Sequence, residues 1–275
     1  MDFTWADAYF QALTAAERFS GSVLVTRGAE TLFSGAYGLA SRAWRIANTL
    51  DTRFDTASVT KLFTAVAALQ LTAQDRLSLD TRAVEYLGLQ QTAISPDATL
   101  YHLLTHTSGI GDDADEENGE SYEALWVQRP NYSVTRAADF LPQFAHKPAN
   151  FPPGQGCRYC NCAYVLAGMM VEKASGMEYR DFVRQNIFSP AGMTDSGFFH
   201  MGEVNERVAE GCIPLEGADG NLRGWRRNIY SYPPIGAPDG GAYVTASDLE
   251  RFLRALLAGR LLPPEETRLF FTPQV

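Results

Sequence analysis

The chain has 275 residues, 45% hydrophobic and 20% charged, with a formal net charge of −9. That length supports one large domain or two closely packed subdomains. The acidic balance and the absence of a basic stripe argue against a nucleic-acid partner; Arg223, Arg226 and Arg227 form the one basic cluster and read as a solvated loop.

The first segment, MDFTWADAYFQALTAAERF, has no basic start and no small-residue cleavage site. Phe3, Ala6, Phe10 and Leu13 fall at helical spacing, which predicts a docked amphipathic helix. The longest apolar runs, near 62–73 and 162–171, are too short to span a bilayer. The expectation is a cytoplasmic chain without a membrane partner, although a trimmed exported chain would look the same.

Residues 21–38 read as a β-hairpin: Val23 and Val25 alternate with Leu24, and the region of Gly28 makes the turn. A helix is predicted from about 56–58, with Asp55 or Thr56 as N-cap. It is apolar on most faces and therefore central to a core. Short helices follow in 77–110. The stretch GDDADEENGE, 111–120, lacks the alternation of a calcium loop and reads as a solvated acidic excursion. A rigid turn at 151–156 leads into a helix over 161–176 that ends at Gly176. Another helix lies near 178–188. Residues 200–240, rich in Gly and Pro, read as irregular. A last helix restarts after Gly241, with Ser247 and Glu250 at capping-box spacing and Gly259 just past its end.

Four cysteines stand at 157, 160, 162 and 212. C-x-x-C is a spacing that zinc uses, but no second paired motif accompanies it. Small buried thiols are the preferred reading, and neither metal nor cofactor is expected.

Lys61 lies inside the apolar helix, one of only three lysines in the chain, three residues after Ser58. Residues i and i+3 share a helix face. A serine needs a base to become a nucleophile, and a lysine near a helix N-terminus in apolar surroundings can supply one. A lysine whose head reaches water while its stem packs is the plain alternative.

Two further stretches, LLTHTSGI (103–110) and Tyr159-Cys160-Asn161, follow ASVTK in that order. Together they resemble the serine β-lactamase and penicillin-binding-protein superfamily, most closely its class C β-lactamase-like branch of esterases and D-aminopeptidases. The likeness runs from about residue 20 to 275. It implies an α/β (α+β) fold, an antiparallel sheet flanked by helices plus an all-helical subdomain. The sheet subdomain is expected in 1–55 and 240–275, and the helical one in 56–239.

The resemblance further implies that Ser58 is acylated, that Lys61 is its base or proton shuttle, and that Tyr159 relays the proton to the leaving group. Asn161 would hold Lys61 and the substrate, and the Ser58 N–H would form half of an oxyanion hole. Cys160 should point away from the site. His106 is expected as part of a structural turn, since no G-x-S-x-G elbow is present, and Tyr230 and Tyr232 are candidates for the pocket wall.

The family's third motif, Lys or His, then Thr or Ser, then Gly, is not found after Gly241. The hairpin is therefore expected to find partner strands in a C-terminal segment or a second chain. The leading function is a Ser-Lys-Tyr acyl hydrolase acting on a small ester, amide or β-lactam. The alternatives are a non-catalytic or acylate-and-stop sensor, or a truncated inactive relative.

Overall fold

The computed structural model describes residues 3–275; Met1 and Asp2, part of the expected N-terminal helix, lie outside the described residues. Helix α1 (Thr4–Ala15) lies against the hairpin β1 (Gly21–Arg27) and β2 (Glu30–Tyr37). The expected apolar spacing is what docks it: Phe10 meets Phe33 and Tyr37 with ring centroids 6.3 and 5.4 Å apart. Short pairs follow, β3 (Leu39–Ser41) with β4 (Ile46–Ala47), and β5 (Phe54–Asp55) with a distant β8 (Tyr243–Val244). Among the described residues the hairpin has no further strand beside it, so both outer edges are open and the expected partner strands are not supplied.

The core forms around α2 (Thr60–Ala73) and, after α3 (Ala83–Leu87), α4 (Leu100–Leu104), α5 (Leu125–Gln128) and α6 (Leu141–Phe144), around α7 (Asn161–Ser175). α2 is buried on most faces, through Phe63, Val66, Ala67, Ala68, Leu69 and Leu71. A helix apolar all round must sit at a centre, because no face is left to solvate. Phe63 takes Phe188 and Phe252 edge-on, at 5.0 and 4.8 Å. Phe188 ends a wide turn that follows α8 (Tyr179–Val183) and precedes α9 (Ser189–Ala191).

The region 200–240 is not irregular throughout. It carries the hairpin β6 (Cys212–Glu216) and β7 (Leu222–Arg227), turned at Asp219–Gly220. Asp-Gly between two runs is a hairpin signal; the runs hide it because they are largely solvated and show no apolar alternation. Arg223, Arg226 and Arg227 lie on β7 and pair with Asp219, Glu123 and Glu210 instead of forming a free basic loop.

Helix α10 (Ala246–Leu257) packs on β1 and on the core, and α11 (Pro264–Phe271) packs on α2. The cap of α10 is not the expected Ser247–Glu250 box: Thr245 accepts from the Asp248 N–H at 3.1 Å. The Asp248 carboxylate is fully buried and holds Asp195 N–H and Ser196 Oγ at 2.8 Å, which fixes the register of the helix start. Among the described residues no helix is long and apolar enough to cross a membrane.

One irregular segment is fixed tightly. Residues 238–242 run along the start of α2: Thr64 Oγ1 donates to Pro238 O (2.6 Å), Thr56 Oγ1 donates to Ala242 O (2.7 Å), and Thr60 Oγ1 accepts from Ala242 N (2.9 Å). Gly168 of α7 leaves the space that Pro238 fills; a Cβ there would stand 2.1 Å from the proline ring. Gly168→Ala is expected to cost about 1–3 kcal/mol by overpacking. Denaturant unfolding checks this, and an unchanged midpoint would contradict it.

Candidate active site

The nucleophile candidate sits in a 3₁₀ turn, Ala57–Val59, one turn before α2. The expected start of the helix is thus tighter than α-helical. Ala57 has φ 44°, left-handed for a residue with a Cβ, and the Asp55 carboxylate accepts its N–H at 2.7 Å. Such strain persists only where neighbours over-determine it, and it gathers at functional sites. Here it turns exposed Ser58 toward the cleft.

Lys61 follows on the same face and is only 5% exposed. Its Nζ donates to Ser58 Oγ (3.1 Å), Asn161 Oδ1 (2.8 Å) and Asp239 O (2.5 Å). An ammonium has three N–H groups, and each finds an acceptor. Tyr159 reaches Ser58 from the other side, with Oη to Oγ 2.5 Å, and its ring lies 4.9 Å from Lys61 Nζ. All four residues expected from the sequence therefore converge on one point.

Tyr159 and Asn161 are placed by the turn that begins α7. Cys160, between them, points away as expected: its buried Sγ accepts from Ala163 N–H and caps the helix. The HTSG turn lies against this segment. His106 adopts φ 60°, its Nδ1 accepts from Cys160 N–H at 3.1 Å, and its ring lies 4.6 Å from that of Tyr159. Burial, and then the nearby Lys61 charge, pull His106 down to about 4, so it is a neutral acceptor at pH 7. Gly109 is required because a Cβ there would meet Phe151 O at 1.9 Å.

The expected acidic excursion is solvated only in part. Asp112 and Asp113 are buried, whereas Asp115 pairs with Arg158, and Glu117 and Glu120 are exposed; the Glu116 side chain lies outside the description. Asp112 accepts from Asn161 N–H and Cys162 N–H at 2.9 Å, covering the start of α7. Nothing in a run of carboxylates distinguishes the two that fold inward. A weak pointer is their place directly after Ile110 and Gly111, next to the apolar turn.

The four cysteines do not converge on a zinc-like site. Cys157 is exposed, Cys212 lies on β6, and Cys162 Sγ accepts from Asp113 N–H. Asp112, Asp113 and Cys162 offer ligand-type atoms within 4.8 Å of one another. Backbone N–H groups already point at each of them, and burial holds the Cys162 thiol well above its ordinary range.

A 440 Å³ cleft opens at Ser58, bounded by Tyr122, Phe140, Phe199, Tyr232, Ile235 and the 236–241 segment. Tyr232 lines it as anticipated; Tyr230 does not and is 73% exposed. The wall is mostly apolar, with Asp55, Glu210 and Asp239 as its acidic members.

The model of the family described as "Beta-lactamase" matches residues 6–275. Esterase EstB of Burkholderia gladioli is 33% identical across 94% of this chain and 71% of the esterase. A D-aminopeptidase of Cereibacter sphaeroides is 30% identical across 80% of this chain, which spans only 40% of that enzyme. The crystal structure of a penicillin-binding protein from Bacillus halodurans superposes with a TM-score of 0.88 at 41% identity, over 96% of this chain and 78% of that one.

Burial, and then the Asp112 and Asp239 carboxylates, push Asp113 up to about 8 from 3.8, and burial pushes Asp239 up to about 6. Between these values and 3.8 the folded chain holds protons that the unfolded chain has released. The stability they contribute is complete below about pH 4 and is lost as pH rises through about 6 to 8. His106 acts at the other end, its contribution present above 6.5 and lost as pH falls through about 4. Asp113→Asn should therefore raise Tm more at pH 8.5 than at pH 5; equal shifts at both would contradict the burial argument.

Proposed function

Because this chain belongs to the beta-lactamase family, we propose that it is a serine acyl hydrolase that works through an acyl-enzyme on Ser58. The observation that carries this reading is the placement of one exposed hydroxyl, Ser58 Oγ, within 2.5 Å of Tyr159 Oη and 3.1 Å of Lys61 Nζ, at the mouth of a cleft.

In the first half-reaction Ser58 Oγ attacks the acyl carbon as its proton passes to Tyr159 Oη, which enters the step as the phenolate because all three Lys61 N–H bonds are already donating. The tetrahedral oxyanion forms beside the Ser58 N–H, at the strained turn. Collapse breaks the bond to the leaving group, and Tyr159 Oη returns the proton to the departing oxygen or nitrogen. In the second half-reaction Tyr159 takes a proton from water, water attacks the acyl carbon, and Ser58 leaves with a proton restored.

Asn161 holds Lys61 on one side through Oδ1. The cleft's apolar walls suit a small uncharged acyl group, and the matched relatives include an esterase and an aminopeptidase. A short-chain ester is the first substrate class to offer, with D-amino-acid amides and β-lactams beside it.

Steady-state hydrolysis of 4-nitrophenyl acetate and butyrate tests the proposal. Ser58→Ala should lose turnover by about 10³-fold or more, and Lys61→Ala by about 10²–10⁴-fold, the range for a positioned proton-transfer group. Full activity in Ser58→Ala would remove the assignment. A stoichiometric burst without turnover in the wild type would favour an acylate-and-stop sensor.

A further inference from the structure

Asp112 takes no part in the steps above, yet its carboxylate is buried one residue contact from Lys61. Among the described residues no lysine or arginine forms an ion pair with it. Its partners are N–H donors of the turn that carries Asn161. Oδ2 accepts from the Asn161 backbone N–H at 2.9 Å and from the Asn161 side-chain Nδ2 at 3.3 Å. Oδ1 accepts from Cys162 N–H at 2.9 Å and lies 3.6 Å from Cys160 Sγ.

We propose that Asp112 is a positioning residue for acyl transfer, acting through the Asn161 amide; the inference rests on the reading of Ser58 as nucleophile. The two ends of a carboxamide have nearly the same shape, and only hydrogen bonding decides which way it faces. Here the Nδ2 end is committed to Asp112, which leaves Oδ1 facing Lys61 Nζ at 2.8 Å. With the amide reversed, an NH₂ group would face an amine that already donates to Ser58 and Asp239 O. Two donors would then oppose each other in a site with little access to water, and Lys61 would lose one of its three fixed contacts.

The negative charge also suits its place. It covers the first N–H groups of the 15-residue α7, where the helix dipole favours an anion. Both oxygens accept, so an amide at position 112 would turn one NH₂ group against a backbone N–H. Asp112 is thus required as an acceptor on both sides, which a neutral side chain of the same shape cannot supply.

A kinetic cycle separates positioning from general support of the fold. Acylation of Ser58 by a nitrophenyl ester is followed in wild type, Asp112→Asn, Asn161→Ala and the double variant. Asp112→Asn should slow acylation about ten- to hundredfold with KM changed less than about twofold. In the Asn161→Ala background the same change should cost less than about twofold, because the group through which it acts is gone. Equal losses in both backgrounds would overturn the proposal. If Asp112→Asn does not fold, Asp112→Ser, which keeps one acceptor for the helix start, carries the same cycle and the same two outcomes. A wild type that never acylates Ser58 would instead remove the underlying reading, whereas a wild type that acylates with additive losses removes this inference alone.

Discussion

Everything at the site depends on one buried amine. Lys61 Nζ donates at once to Ser58 Oγ, Asn161 Oδ1 and Asp239 O, and those acceptors come from three distant parts of the chain. A cation taken out of water is tolerated only where its hydrogen-bonding capacity is met in full. Three N–H groups meeting three acceptors satisfies that condition, and it also ties the 3₁₀ turn, the start of α7 and the 238–242 segment to one atom. Arginine could not replace it, since its planar fork cannot converge on three such directions.

The surrounding structure reads as support for that convergence. The threonines at 56, 60 and 64 hold the 238–242 backbone along α2, so that a main-chain oxygen can stand against Nζ. On the opposite side Asp112 and neutral His106 brace the Tyr159–Asn161 turn through backbone N–H groups. The strain at Ala57 and His106 is carried by these neighbours, which fits a site whose atoms must stay placed in the absence of substrate. The carboxyls of Asp113 and Asp239 close to the same atoms make the interior sensitive to pH in a way that a purely apolar core is not.

Much of this was legible in the sequence, for identifiable reasons. Ser58 and Lys61 could be paired because helical geometry puts i and i+3 together, and a lone lysine in an apolar helix is conspicuous. Tyr159 and Asn161 needed the family resemblance, since nothing local says that residues 101 and 100 positions away meet Ser58 and Lys61. The β1–β2 hairpin, α2, α7 and its Gly176 stop followed from alternation, apolar periodicity and turn residues. What stayed hidden depends on tertiary contact. Asp112 and Asp113 look like their solvated neighbours until the fold buries them. The Asp239 contact is a main-chain carbonyl and leaves no side-chain signature. Thr245, not Ser247, caps α10 because Asp248 is needed inward by Asp195 and Ser196.

The central claim is that the amine and the phenol act on the Ser58 hydroxyl. Its most direct test is the rate of labelling by a fluorophosphonate, followed by intact-protein mass and peptide mapping. The account predicts one adduct, on the peptide containing Ser58, formed quickly in wild type, slowly in Lys61→Ala and Tyr159→Phe, and not at all in Ser58→Ala. Labelling of Ser58→Ala at the wild-type rate, or a wild-type adduct mapped elsewhere, would contradict it.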